Sequence, residues 1–127
     1  MKVLALDYGS ARTGVAVSDP TGTLARPLCT VEAAGTDAGL MRLGELVRGE
    51  DAERVVVGLP LTLRGERGMQ ANETMRFVDR LRSVVDVPVE IFDERFTTTL
   101  AGPGEGDDAR AAAHLLAGYL EWSRGRS

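Results

Sequence analysis

At 127 residues the chain has the length of one domain, long enough to close an ordinary core and short for two. Its 43% hydrophobic and 27% charged residues match a folded globular protein and exclude a disordered tail or a membrane bundle. The net charge of −4 runs against the basic surface that most nucleic-acid binders carry, although 14 of the 15 cationic residues are arginines and several fall in loop-like stretches where a local basic patch can form.

The opening run reaches Asp7 too soon for a signal-peptide core, and no stretch approaches the roughly 18 apolar residues of a membrane span. The expected location is the cytoplasm, with no membrane partner. A single cysteine, Cys29, can form no internal disulfide and has no companion thiols for a soft-metal site, so it reads as core filler.

The run Lys2 to Asp7 is continuously apolar from Val3 to Leu6, as expected of a central strand covered on both faces. After the turn Tyr8-Gly9-Ser10, Thr13 to Asp19 reads as a second strand in hairpin distance, closed by the turn Asp19-Pro20-Thr21-Gly22. Leu24 to Val31 completes an antiparallel meander. Asp37 to Arg48 then sets Leu40, Leu43, Leu46 and Val47 at helical spacing behind Thr36 as cap. Arg54 to Leu59 is a buried strand stopped by Pro60. Beyond an arginine- and glycine-bearing loop, Ala71, Met75, Val78, Leu81 and Val85 form one helical stripe, and Val87 to Phe92 is the next strand. The last helix runs from about Asp108 to Trp122, with Ala112, Leu115, Leu116, Tyr119 and Leu120 on one face. The order βββαβαβα over one domain, residues 1–127, predicts an α/β fold: a mixed five-stranded sheet in which strands one, four and five run parallel, flanked by helices.

The carboxyl ends of parallel strands gather at one edge, where ligands usually bind. Asp7 ends the first strand, Asp93 and Glu94 end the fifth, and Asp108 opens the final helix, from where it can return to that edge. Carboxylates so gathered repel one another unless cations lie between them. Hard oxygen ligands suit Mg²⁺ or Mn²⁺, and two such ions can stabilise the attacking and leaving oxygens of phosphodiester cleavage. Each residue alone has an ordinary alternative. Asp7 before Tyr8-Gly9 is a plausible turn aspartate, Asp93 and Glu94 a solvated strand end, and Asp107 or Asp108 a helix N-cap.

The whole pattern resembles a known family. Asp7-Tyr8-Gly9-Ser10-Ala11-Arg12-Thr13-Gly14-Val15-Ala16-Val17-Ser18-Asp19 is similar to the opening motif of the YqgF family, also called RuvX. Val57-Gly58-Leu59-Pro60, with Gly65, Ala71, Phe77 and Leu81, resembles its second motif, and Asp93-Glu94-Arg95-Phe96-Thr97-Thr98 its third. Asp108 with Ala111-Ala112, Leu115-Leu116 and Tyr119-Leu120 resembles the last. The resemblance implies a ribonuclease-H-like fold and a nuclease for the 5′ end of precursor 16S ribosomal RNA, with Holliday-junction resolution on branched DNA as the older assignment. It implies Asp7, Glu94 and Asp108 as catalytic, metal-holding carboxylates; Glu94 is preferred to Asp93 on the resemblance alone.

Arg12, Arg64, Arg67 and Arg95 are candidates for phosphate contact, against ordinary surface charge for Arg64 and Arg67. His114, beside an apolar helix face, is given no role. Tyr8 is placed against a neighbouring helix rather than a base. Thr97 and Thr98 either orient the Asp93-Glu94 turn or cap a short helical turn. One departure stands out: only Phe96 to Asp107 separates Arg95 from Asp108, where the family pattern has a helix and a mobile loop. The glycine-rich link is expected to be mobile and to border the site.

Two other classes compete. The aspartate-bearing hairpin also resembles the phosphate-binding hairpin of sugar kinases and actin-like ATPases, which need two such domains around ATP. A non-catalytic module that binds ribosomal precursors or a protein partner is the other, separated from a nuclease by metal-dependent cleavage.

Overall fold

The computed structural model describes residues 1–60, 68–93 and 108–125. In chain order the elements are β1 (Val3–Asp7), β2 (Arg12–Ser18), β3 (Ala25–Glu32), α1 (Asp37–Gly49), β4 (Arg54–Leu59), α2 (Met69–Arg82), β5 (Val89–Asp93) and α3 (Asp108–Arg124). The strands form one mixed sheet in the order β3-β2-β1-β4-β5. Pairings β1–β2 and β2–β3 are antiparallel, and β1–β4 and β4–β5 are parallel. This is the predicted arrangement, a meander followed by two right-order crossovers through helices.

The pleat sends successive residues to opposite faces, and each face has its own helical layer. Leu4, Leu6, Val15, Val55 and Val57 pack with Leu40, Leu43 and Val47 of α1 and Phe77, Val78 and Leu81 of α2. Val3, Ala5, Ala16, Val56 and Phe92 pack with Ala112, Leu115, Leu116, Tyr119 and Leu120 of α3. Strand β1 is therefore buried on both sides, which is why its sequence is continuously apolar.

Thr36 caps α1 as the sequence suggests: its hydroxyl accepts from Gly39 N at 3.1 Å and donates to the Ala33 carbonyl at 2.7 Å. Several element ends differ from expectation. Helix α2 stops at Arg82 with Ser83 as its C-cap, so Val85 lies beyond the helix yet still packs on the same core. Strand β5 begins at Val89 rather than Val87, because Pro88 has no N–H for the ladder; its carbonyl accepts from Val55 N at 2.9 Å. Leu24 precedes β3, exposed, its carbonyl closing the preceding turn on Asp19 N at 3.0 Å. Helix α3 continues past Trp122 to Arg124. Among the described residues no helix is long and apolar enough to cross a membrane.

Candidate active site

Asp7 is the last residue of β1 and is half-buried. Its cross-strand partner in β2 is Gly14. By the two-residue period Asp7 follows Val3 and Ala5 onto the face covered by α3. Helix α3 begins on that face, at Asp108, and the backbone of Asp108 and Ala109 lies directly over Gly14. A Cβ at position 14 would overlap the Asp108 carbonyl and stand 2.9 Å from Ala109 N, so only glycine lets the helix start so close to the strand. One bare position in β2 thus brings the Asp7 end of the sheet and the first turn of α3 together.

Asp108 is the first helical residue rather than the cap. Its Oδ2 is buried and, among the described residues, accepts no hydrogen bond. The charge facing that oxygen is the Arg12 guanidinium, with Nε at 3.4 Å, longer than a hydrogen bond of good geometry and hence a mainly Coulombic contact. Arg12 opens β2, and its side chain is 56% exposed against 33% for Asp108. A negative side chain in the first turn is also favoured by the helix dipole.

The loop joining β1 to β2 is shaped by Thr13, which is fully buried. Its hydroxyl lies 3.3 Å from Gly9 N, as acceptor, and 3.4 Å from the Gly9 carbonyl, as donor. Beside this loop a cleft is lined by Asp7, Tyr8, Gly9, Ser10, Pro60, Gln70, Glu73 and Thr74, so the amino end of α2 forms its far wall. Tyr8 stacks on Phe77 of α2 with ring centroids 4.3 Å apart, the packing role expected for it.

Asp93 ends β5 at the same edge of the sheet. Val89 and Ile91 belong to the core beneath α1 and α2 while Phe92 belongs to the α3 side, so Asp93 falls on the face away from Asp108. Glu94, Arg64, Arg67 and Arg95 lie outside the described residues, as do Thr97, Thr98 and the link before Asp108. His114 is half-buried in α3 and enters none of these contacts. Among the described residues no group of three His, Cys, Asp or Glu side chains stands close enough to hold a metal ion. What they do supply is two carboxylate positions joined across Gly14, one with an oxygen left without a hydrogen bond, and that pair suits a hard cation.

Sequence reasoning missed Gly14, Thr13 and the α2 wall of the cleft. Gly14 stands in the opening motif, but what it admits becomes evident only once α3 is in place.

Comparison with known proteins agrees with this architecture. A protein from Chloroflexus aurantiacus named "Putative pre-16S rRNA nuclease" is 48% identical over 99 residues, which take in 78% of this chain and 65% of that relative's length. One of the same name from Moorella thermoacetica is 40% identical over 133 residues, covering 95% of each chain. Among solved structures, T. thermophilus RuvC in complex with a Holliday junction substrate superposes with a TM-score of 0.67 at 17% identity, over 100% of this chain and 97% of that one. The fowlpox virus Holliday junction resolvase gives 0.57 at 11%, over 96% and 99%. These likenesses fix the fold as ribonuclease-H-like. The family model described as "RuvX: Holliday junction resolvase" matches residues 1–122, and the chain therefore belongs to the RuvX family.

Proposed function

We propose that this chain is a divalent-metal-dependent nuclease that hydrolyses phosphodiester bonds, acting in the cytoplasm at the 5′ end of precursor 16S ribosomal RNA, with Asp7, Glu94 and Asp108 as its catalytic carboxylates. The observation that carries the reading is the seating of Asp108 on Gly14, the cross-strand partner of Asp7, with a buried carboxylate oxygen that has no hydrogen bond among the described residues. A lone structural aspartate would be expected to spend its oxygens on backbone N–H groups, as a cap does.

Asp93 shares a face with Val89 and Ile91, away from Asp108. Glu94 is taken as the third ligand from the family resemblance. Mg²⁺ or Mn²⁺, as one ion or a pair, would supply Lewis-acid activation of water and charge compensation at the scissile phosphate. The carboxylates hold and orient those ions. Arg12, Arg64, Arg67 and Arg95 are proposed to neutralise phosphate oxygens, a role that offsets the net acidity of the chain.

The relatives' names favour precursor rRNA as substrate, and the family's description favours branched DNA, which stands as the second reading. Purified protein incubated with a precursor 16S fragment and a four-way DNA junction, with Mg²⁺, Mn²⁺ or chelator, decides among them. Metal-dependent cleavage of the RNA at its 5′ extension is expected. Cleavage of the junction alone supports resolvase activity, and tight binding without cleavage of either supports a non-catalytic module.

A further inference from the structure

We propose that Arg12 is a displaceable counter-cation: without metal its guanidinium compensates Asp108, and an arriving divalent ion takes its place and frees it for phosphate. The proposal deepens the metal-site reading above and rests on it.

Three observations carry it. First, among the described residues Asp108 Oδ2 is buried and accepts no hydrogen bond, and Arg12 Nε at 3.4 Å is the charge that faces it. Second, among the described residues the Arg12 side chain makes no hydrogen bond, and it is more than half exposed, so little holds it in place. Exposed pairs of this kind contribute little and break readily. Third, Arg12 starts β2 only two residues before Gly14, the position over which Asp108 sits, so the pair is held by the same close approach that builds the site.

A divalent ion on Asp108 Oδ2 and a guanidinium a few ångströms away are like charges, and both cannot keep the same oxygen. The ion, with shorter contacts and twice the charge, wins when its concentration suffices. The released guanidinium stays tethered at the rim of the metal site, where its planar fork can meet phosphate oxygens in pairs. Arg12 thus lowers metal affinity in the free protein and links metal arrival to phosphate capture.

Isothermal titration of Mn²⁺ into metal-stripped protein without nucleic acid tests this. Arg12→Gln is expected to bind Mn²⁺ about two- to fivefold more tightly than wild type, the scale of an exposed ion pair. Arg12→Lys, which keeps the charge, should stay near wild type. In an Asp108→Asn background the Arg12→Gln gain should vanish. Thermal unfolding in chelator shows that each variant is folded. Unchanged or weaker Mn²⁺ binding by folded Arg12→Gln overturns the displacement. Mn²⁺ binding that is the same in wild type and Asp108→Asn overturns the metal-site reading itself, and the inference with it.

Discussion

The first turn of α3 at Asp108 rests on Gly14 in β2, with no room for a side chain between them. The strand that carries Gly14 pairs it with Asp7, so one missing Cβ sets the spacing between two of the proposed ligands. Gly14→Ala must push the start of α3 off the sheet, since the overlap is with backbone, which cannot rotate away. A loss of about 1–3 kcal/mol of stability is expected from overpacking of this kind. Metal affinity should fall further than stability alone explains. Gly49→Ala is the matched control: nothing lies within 4 Å of a Cβ there, and the residue ends α1, so it should be neutral or slightly stabilising. Chemical denaturation and Mn²⁺ titration of both variants check the contrast, and equal behaviour would remove Gly14 from the site's construction.

Asp7→Asn should fold normally and lose cleavage, because the amide keeps the shape of the strand end and loses the charge that holds a cation. Asp108→Ala should resemble it, for reasons that can be weighed. The substitution removes an exposed ion pair worth at most about 1 kcal/mol and a helix-dipole interaction of about 0.3–1 kcal/mol. It also removes a buried oxygen without a hydrogen bond, a relief of about 1–3 kcal/mol. Metal-free stability should therefore fall by no more than about 1 kcal/mol, and a gain is expected wherever the relief dominates. A melting temperature far below wild type in chelator would mark either aspartate as structural, and cleavage at wild-type rate in saturating metal would remove it from the active site.

The element order and the parallel core were legible because they are written locally: an unbroken apolar run in β1, helical stripes in α1, α2 and α3, and turn residues between them. The site was legible only as a set of strand ends. Which face of β5 Asp93 takes depends on which helix covers which face of that strand, and no local pattern carries that: Val89 and Ile91 pack under α1 and α2 while Phe92 meets α3. The Arg12–Asp108 pair joins residues 96 positions apart, so no local pattern encodes it. Tyr119 was read as one more member of an apolar stripe. Its hydroxyl finds partners only because β4 and β5 bring Arg54 and Glu90 side by side, in the register Val55 with Val89.

That hydroxyl gives a test of stability separated from chemistry. Tyr119 donates to Glu90 Oε2 at 2.6 Å and accepts from Arg54 Nη1 at 2.8 Å, with its ring against Phe92 and Trp122. Arg54 opens β4, so the triad lies at the end of that strand away from the edge where Asp7 sits. Tyr119→Phe keeps the ring and removes both bonds, although Arg54 still faces Glu90 at 3.4 Å. A loss of about 1–2 kcal/mol is expected, with Mn²⁺ affinity and cleavage rate per folded molecule unchanged. A fall in metal affinity would show that the two ends of α3 are coupled.

The pH dependence of stability should carry a signature from Asp19, which lies past the end of β2, beside the amino end of β1 and away from the proposed site. The Thr21 hydroxyl donates to its Oδ2, and the backbone N–H groups of Leu24 and Thr23 donate to its Oδ1 at 2.9 and 2.7 Å. All three donors favour the charged form, so the folded carboxyl is held well below the ordinary value of 3.8. A group whose folded pKa is depressed contributes stability that is fully present above its unfolded value and lost as pH falls toward the folded one. Stability should accordingly begin to drop below about pH 4 and continue to fall with further acid. Asp19→Asn keeps one acceptor but not the charge, and its stability should show a shallower slope over that acid range. NMR titration of the side-chain carboxyl reads the same quantity directly: a midpoint well under the usual carboxylate range is expected, and an ordinary midpoint, with equal acid slopes for wild type and variant, would show that the turn does not hold its charge.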